Sequence, residues 1–220
     1  MKDYIEIINK SSLFAGIKAK DIEALLECTG ARSRKFNKGA FIIEEGSTVT
    51  EFGIVLSGKA HSLKEDPNGK TFIVTAVEPG GFIGVLLAAS RNRRSSVSVQ
   101  AQEDMLVLFF PVGRITSRCT KGCVNHDKLL CNYLDSIAEM ALVLHDRNDC
   151  LIKCSVREKI LTYLIRESKN SASHTFTIPF NRENMAKYLD VERSSLSREL
   201  SSMKRDGVID FHKSSFKLLF

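Results

Sequence analysis

Apolar and polar residues follow different patterns in different parts of the chain. Residues 4–28 carry apolar side chains at mixed helical spacing, interrupted around Gly16, which predicts short helices. Residues 36–111 contain short apolar runs separated by turn residues, at 40–43, 52–56, 59–63, 71–77, 96–101 and 105–110. Several short strands at regular spacing predict a sandwich or barrel, and residues 66–69 predict a hairpin turn within it.

A long helix is predicted from about residue 125 to about residue 149. A mostly apolar stripe along it advances in alternating steps of four and three residues: Leu130, Leu134, Ile137, Ala141, Leu144, Asn148 and Leu151. Such a stripe could pack on the chain's own barrel, but a 3.5-residue repeat between two domains is typical of helices that pair. The pattern therefore predicts a homodimer whose interface contains Leu130, Leu134, Ile137, Ala141 and Leu144.

The next helix begins at a capping signal. Ser155 and Glu158 have the spacing of a capping box, in which both side chains bind free backbone N–H groups at the start of a helix. The break at residues 150–154 is therefore a predicted domain boundary and hinge. These features divide the chain into domains at residues 1–120 and 151–220, joined by the long helix at residues 121–150.

Residues 181–204 have the pattern of two short crossing helices. Ala186 is the small residue expected where the helices touch, and Asp190 stands at the turn, where a left-handed backbone is needed. Apolar residues that would lock the pair are Met185, Leu189, Val191, Leu196 and Leu200. Residues 208–220 predict a β-hairpin, and residues 175–180 predict a strand that could pair with it. The result would be a helix-turn-helix with a β wing.

The second of these helices would present four polar side chains outward: Arg193, Ser194, Ser197 and Arg198. Arginine can form paired hydrogen bonds with guanine O6 and N7, and serine can reach bases or phosphates. This face therefore suits the major groove of double-stranded DNA. The alternative is an ordinary helical hairpin whose solvent-exposed face carries two arginines.

Charge and composition are compatible with a DNA partner. Residues 150–220 hold 13 of the 32 Lys and Arg but only 8 of the 26 Asp and Glu, so most of the net charge of +6 lies there. The 43% of hydrophobic residues can fill real cores, and no run approaches the ~20 apolar residues that cross a bilayer. Six cysteines without a secretion signal suggest reduced thiols. We expect a cytoplasmic protein with no membrane partner.

The chain as a whole resembles the CRP/FNR family of bacterial transcription regulators. The resemblance is carried, in order, by residues 13–17, 38–39 with 45–46, 52–58, 79–84, the long helix and the winged helix-turn-helix. It implies an α+β fold with an N-terminal jelly-roll sensor domain (a double-stranded β-helix of the cyclic-nucleotide-binding type). It also implies a dimer on a palindromic promoter site, with RNA polymerase as a further partner, and Arg193, Ser194, Ser197 and Arg198 as the base-reading positions. The family often has glutamate at the position of Ser194, which leaves the preferred half-site open.

The same resemblance places an effector site at Gly84, Val85, Leu86, Arg93, Arg94 and Ser95. In members that bind cyclic nucleotides, a glutamate after the glycine binds the ribose, and a later Arg-Ser pair neutralises the phosphate. Here Val85 stands at the glutamate position, and an ungapped alignment puts Ser95 at the arginine position. Valine cannot accept a hydrogen bond, so the sequence argues against cyclic AMP. A different small anionic effector and a solvated basic loop both stay open.

The sequence leaves the cofactor unknown. Four thiolates could hold an iron–sulfur cluster, but family sensors place most cluster cysteines near the N-terminus, and the first cysteine here is Cys28. The pairs Cys119 and Cys123, and Cys150 and Cys154, are four residues apart, which fits small buried hydrophobic residues. No histidine spacing marks a haem or metal ligand. No metal site is predicted.

A β-barrel of this kind could also belong to an enzyme or to a scaffold protein. A metal-dependent barrel enzyme needs clustered His and Glu ligands, yet His61 is the only histidine between residues 1 and 125. No catalytic residue is predicted, so the chain is not expected to be an enzyme. A regulatory or scaffold protein that binds protein partners through its barrel stays as the alternative. For a regulator, we expect an effector or redox change to shift an existing equilibrium and rotate the DNA-binding domains about the hinge.

Overall fold

The structure is a computed structural model that describes residues 4–65, 68, 71–117, 119, 123 and 125–220. These residues form two compact units, Met1–Met140 and Ala141–Phe220, whose boundary falls within the long helix. The three-part division of the chain at residues 120 and 150 stays a prediction. In the described part of the chain, none of the helices combines the length and the apolar character that crossing a bilayer requires.

The N-terminal unit begins with helices and continues with strands, as the sequence predicts. Its helices are α1 (Ile5–Lys10), α2 (Ala19–Thr29), α3 (Val85–Ala89), α4 (Val112–Thr116) and the first part of α5 (His126–Leu151), with a 3₁₀ turn at Ser12–Phe14. Its strands are β1 (Arg32–Phe36), β2 (Phe41–Ile43), β3 (Glu51–Ser57), β4 (Ala60–Glu65), β5 (Thr71–Val77), β6 (Phe82–Ile83), β7 (Ser98–Ala101) and β8 (Met105–Pro111).

These strands form two four-stranded antiparallel sheets, in the orders β1-β8-β3-β6 and β2-β7-β4-β5. The expected α+β jelly-roll fold is confirmed, and all six predicted strands are present. β1 and β6 were not predicted. β1 has the sequence RSRKF and lies exposed at a sheet edge, so it lacks the apolar alternation that identifies a half-buried strand. β4 and β5 pair from Ala60 with Val77 to Glu65 with Thr71, but the predicted turn at Asp66, Pro67 and Gly69 lies outside the described residues.

The N-terminal core is centred on β3 and on the first half of α5. Phe52 on β3 stacks on Phe110 of β8 and on Tyr133 of α5, with ring centroids 5.4 and 4.9 Å apart. Asn132 donates hydrogen bonds to the carbonyl oxygens of Leu13 and Ala15, both at 2.9 Å. This face of α5 is therefore fixed to the barrel by aromatic packing and by satisfied polar contacts.

The predicted stripe on α5 lies largely outside this packed face. Leu134 and Leu144 are each 55% exposed and Ala141 is exposed, whereas Leu130 and Ile137 are half-buried against the N-terminal core. One edge of the stripe thus packs on the chain's own barrel. The rest presents apolar surface along the helix.

The C-terminal unit contains the rest of α5, α6 (Val156–Asn170), β9 (Thr175–Thr177), α7 (Arg182–Leu189), α8 (Arg193–Arg205), β10 (Ile209–His212) and β11 (Ser215–Leu218). The predicted capping box is confirmed, since the Ser155 hydroxyl accepts from the Glu158 N–H and the Glu158 carboxylate accepts from the Ser155 N–H. The sheet order is β10-β11-β9. The predicted wing and its pairing strand are therefore both present, with Phe216 opposite Phe176.

Candidate DNA-binding and effector sites

Helices α7 and α8 form the crossing pair that the sequence predicts. Ala186 is buried at their contact, and the locking residues Met185, Leu189, Leu196 and Leu200 are buried as well. Val191 is half-buried and packs against the same core. Asp190 adopts φ 51° and ψ 61°, the left-handed conformation expected at the turn. The Val191 N–H then donates to the Ala186 carbonyl at 3.0 Å.

The start of α7 contacts the wing, the hairpin formed by β10 and β11. The Asn181 side chain accepts a hydrogen bond from the Asn184 N–H at 2.8 Å and caps the helix. Arg182 donates to the Lys213 carbonyl at 2.8 Å, and its guanidinium lies 4.9 Å from the ring centroid of Phe211 and 5.0 Å from that of Phe216. Sequence reasoning missed Arg182, because this role depends on residues about thirty positions further along the chain.

The four predicted base-reading residues are all exposed on the first two turns of α8: Arg193, Ser194, Ser197 and Arg198. Arg198 donates to the Ser195 hydroxyl at 3.3 Å, which leaves most of its guanidinium donors facing solvent. Within the described part of the chain, neither arginine forms an ion pair with a carboxylate. The face therefore presents two guanidinium groups with small hydroxyls between them. This arrangement is suited to hydrogen bonding with base edges and phosphates.

The last turns of α5 belong to the core of this unit. Arg147 donates to the carbonyl oxygens of Tyr188 at 3.1 Å and Lys187 at 3.3 Å, at the C-terminal end of α7, where a cation complements the helix dipole. Arg166 on α6 donates to the Tyr188 hydroxyl at 3.1 Å, and burial raises the pKa of Tyr188. Cys150 is fully buried here. These contacts hold the end of α5 against the helix that precedes the recognition helix.

The predicted effector residues have a different environment. Gly84 has φ 73° and precedes the five-residue helix α3, and a Cβ at this position would lie 3.0 Å from the Ile43 side chain. Val85, at the glutamate position of the resemblance, is 1% exposed and packs in the barrel core. Leu86 is half-buried against the same core. The side chain of residue 85 is therefore part of the barrel core.

The basic loop that follows is engaged in backbone contacts. Arg94 donates from Nε to the Gly46 carbonyl at 3.1 Å, and the buried Ser95 hydroxyl donates to the Val97 carbonyl at 2.7 Å. Arg93 is exposed and has a positive φ of 54°. None of the six predicted residues lines the cavity of about 300 Å³ beside Arg34 and Glu51.

Tyr133 is a buried polar residue that the sequence did not reveal. Its hydroxyl has no hydrogen-bond partner among the residues that the structure describes. Burial raises the pKa of Tyr133, and the positive charge of Arg93 opposes that rise. Because an unsatisfied buried hydroxyl is costly, this tyrosine is a candidate contact for a bound water or ligand between the basic loop and α5.

A second unexpected group lies between α2 and the start of α5. The sulfur atoms of Cys28 and Cys119 are 3.4 Å apart, and the Cys28 sulfur is 3.7 Å from His126 Nδ1. Burial, together with hydrogen bonds with Cys123 and Cys119, raises the pKa of Cys28 to about 12. Sequence reasoning missed this group, because Cys28 and Cys119 are 91 positions apart.

Both parts of the chain match known domain families. Residues 33–121 match the cyclic nucleotide-binding domain, and residues 158–219 match the Crp-like helix-turn-helix domain. The chain is similar to the transcriptional activator protein FnrL of Cereibacter sphaeroides, with 26% identity over 190 residues that cover 80% of this chain and 71% of FnrL. It is also similar to the nitrogen fixation regulation protein FixK of Bradyrhizobium diazoefficiens, with 26% identity over 84% of this chain and 76% of FixK.

A solved structure has the same fold. A CooA variant from Carboxydothermus hydrogenoformans matches with a TM-score of 0.57 and 16% identity, over 90% of this chain and 86% of that chain. At this identity the likeness concerns the fold alone.

Proposed function

We propose that this chain, which belongs to the CRP/FNR family of transcription regulators, acts as a homodimer that reads a two-fold symmetric DNA site with α8. Members of this family are regulators rather than enzymes. The observation that carries the proposal is the exposed polar face of α8, where Arg193, Ser194, Ser197 and Arg198 all stay clear of the core. A helix used only for packing has no need of two unpaired arginines at its start.

Base recognition follows from the chemistry of this face. A helix that enters the major groove with its N-terminal residues brings Arg193 and Arg198 within reach of guanine edges or phosphates. The two serines are short enough to let the helix approach closely. The wing and the N-terminus of α7 lie beside it, held together by Arg182, and position α8 on the duplex.

Dimerisation would use the α5 stripe, defined as Leu130, Leu134, Ile137, Ala141 and Leu144. Leu134, Ala141 and Leu144 expose apolar surface, which is stabilised when it packs against a second helix with the same repeat. A two-fold dimer would place two copies of α8 about 34 Å apart, one turn of DNA. Palindromic half-sites at that spacing are the expected target, and RNA polymerase is the expected partner of the bound dimer.

Control would come from the N-terminal unit. A ligand or redox change that binds one arrangement of the barrel and α5 better than another shifts the equilibrium toward DNA-competent dimers. Gly84, Val85, Leu86, Arg93, Arg94 and Ser95 stay the candidate effector positions. Because Val85 is in the core and the Ser95 hydroxyl is already bonded, we propose an effector other than cyclic AMP, an anion that Arg93 can reach.

The test combines oligomeric state with site selection. The purified chain is studied by analytical ultracentrifugation, and its DNA target is selected from random sequences and footprinted. We expect a dimer that protects two half-sites one helical turn apart. A stable monomer, or selection of sequences without two-fold symmetry, would contradict the proposal.

A paired variant addresses the stripe directly. Leu134→Glu with Leu144→Glu should weaken dimerisation at least about 100-fold, because each leucine buries surface worth about 1.5–3 kcal/mol. Lys128→Glu introduces the same residue at an exposed position of α5 outside the stripe and should leave the dimer intact. Equal dimer stability in both variants would exclude the stripe as the interface.

A further inference from the structure

Three ligand-forming atoms from distant parts of the N-terminal unit converge at one point. Cys28 lies near the end of α2, Cys119 lies in the segment before α5, and His126 is the first residue of α5. The two sulfur atoms and His126 Nδ1 all lie within 4.8 Å of one another. His126 is buried, and both cysteines are half-buried.

We propose that Cys28, Cys119 and His126 bind a single Zn²⁺ ion, with Cys123 as the fourth ligand. Cysteine thiolate and imidazole are the ligands that structural zinc sites use, and three cysteines with one histidine is a common set. On binding, the thiols lose their protons to solvent. All four residues belong to the N-terminal unit.

The spacing of the atoms fits one tetrahedral ion. Zn–S bonds of about 2.3 Å and Zn–N bonds of about 2.0–2.1 Å put two sulfur ligands about 3.8 Å apart and a sulfur and a nitrogen about 3.5 Å apart. The structure has 3.4 Å between the Cys28 and Cys119 sulfurs and 3.7 Å from the Cys28 sulfur to His126 Nδ1. Shifts of a few tenths of an ångström bring these two distances to the values of a tetrahedral zinc site. The four cysteines of a [4Fe–4S] cluster bind different iron atoms and need wider spacing.

The orientation of the His126 ring also supports a metal site. Its Nε2 lies 3.0 Å from the Ile115 carbonyl oxygen, an acceptor, so Nε2 carries the proton and donates it. Nδ1 is then left with its lone pair directed at the Cys28 sulfur. Histidine ligands of zinc characteristically donate their other N–H to a carbonyl or carboxylate in this way, which fixes the ring and its tautomer.

Cys123 is the proposed fourth ligand; its sulfur lies outside the group of atoms within 4.8 Å of one another and has to move toward them when the ion binds. The Cys123 N–H donates to the Cys119 sulfur at 3.3 Å. The Cys123 side chain also hydrogen-bonds with Cys28. Asn125 donates to the Asp21 carboxylate at 3.1 Å and holds the start of α5 against α2. An ion bound here would therefore join α2, the segment before α5 and the first turn of α5.

The experiment is a Zn²⁺ titration of the full chain, purified without a histidine tag and stripped of metal with a chelator. A chromophoric competitor measures affinity, and Co²⁺ reports geometry through its absorption. We expect one Zn²⁺ per chain, the intense visible bands of tetrahedral cobalt with sulfur charge-transfer absorption, and a rise in Tm of about 5–10 °C at a hundredfold excess over Kd.

Variants assign the ligands. Cys28→Ala, Cys123→Ala and His126→Gln should each weaken Zn²⁺ binding by more than about 100-fold. Cys131→Ala and Cys154→Ala remove exposed cysteines outside the group and should bind Zn²⁺ as the unchanged chain does. Undiminished binding by Cys28→Ala would overturn the site, and undiminished binding by Cys123→Ala would overturn the fourth ligand.

The cobalt spectrum keeps the proposal testable if a variant does not fold, because it needs only the unchanged chain. An octahedral spectrum, absence of sulfur charge-transfer bands, or an iron–sulfur chromophore in the purified protein would each overturn the zinc site.

Discussion

Helices α8 and α3 contain positions that the family resemblance assigns to DNA reading and to ligand binding, and the side chains at these positions have opposite environments. On α8, Arg193 and Arg198 are exposed and make no ion pair with a carboxylate in the described part of the chain. At the start of α3, Val85 is 1% exposed, and in the loop that follows the Ser95 hydroxyl is bonded to a backbone carbonyl. The predicted DNA-contacting side chains therefore face solvent, whereas Val85 and the Ser95 hydroxyl are already engaged within the protein.

The difference shows what a shared fold transfers between relatives. Both helices are present because packing residues specify them, such as Leu196 in α8 and Ala88 in α3. The functional face is a separate property that depends on which side chains point away from that packing. We therefore propose that the DNA-reading residues keep their role in this chain, whereas the buried valine at residue 85 argues for an effector other than cyclic AMP.

The strongest challenge to this comparison is to restore the missing glutamate. Val85→Glu should destabilise the chain by about 3–5 kcal/mol, because the position lies in the hydrophobic core, where a carboxylate is costly to bury. Leu86→Glu, half-buried next to it, should cost clearly less. Urea unfolding followed by circular dichroism measures both. A Val85→Glu chain of unchanged stability that binds cyclic AMP would show that α3 keeps a ligand-facing side chain after all.

The next largest effect is expected on the α8 side. Arg198→Ala should weaken binding to the selected site by about 1–3 kcal/mol, roughly 5- to 150-fold, and relax preference at one base position. Weak, salt-dependent binding to other DNA should persist. Fluorescence anisotropy at several salt concentrations provides the measurement. Lys169→Ala removes the same charge from an exposed site at the end of α6 and serves as the control; equal losses in the two variants would argue against base reading.

A smaller effect on stability is expected from the cap at the start of α7, a feature that α3 lacks. The Asn181 side chain caps α7, whereas α3 starts at Gly84 without a side-chain cap. Asn181→Ala should lower the free energy of unfolding by about 0.5–2 kcal/mol, and Asn181→Asp, which keeps an acceptor, should lower it much less. Thermal unfolding compares the two. Equal Tm values for the Asn181→Ala variant and the unchanged chain would show that the cap does not stabilise the fold.

The smallest expected effect concerns pH. The hydrogen bonds that Glu158 accepts from Ser155 at the start of α6 lower the pKa of this carboxyl in the folded chain. A lowered pKa stabilises the folded state above the ordinary carboxyl range, and that contribution is lost as pH falls through the folded value. The Tm difference between the chain and its Glu158→Gln variant should therefore narrow below about pH 4.5. A difference that stays constant down to pH 3 would contradict this role.

Elements with local causes were predicted well. The capping box at Ser155, the left-handed turn at Asp190 and the wing all follow from residues close together in sequence, and each is confirmed. β1 was missed because an edge strand of mostly charged residues has no apolar alternation to reveal it. The exposure of the α8 face was predicted because helix periodicity separates its polar side from Leu196 and Leu200.

Amino-acid order alone predicted the short strands, the long helix with its apolar stripe and the residues offered by α8, because each depends on short-range periodicity and on a few turn residues. The jelly-roll arrangement of the strands was what the family resemblance implied. Only the tertiary structure decided that Val85 is buried, that the Ser95 hydroxyl is already bonded and that Cys28 meets Cys119 and His126. These outcomes depend on which distant segments pack together. Such packing is the sum of many contacts, and no single motif in the chain records it.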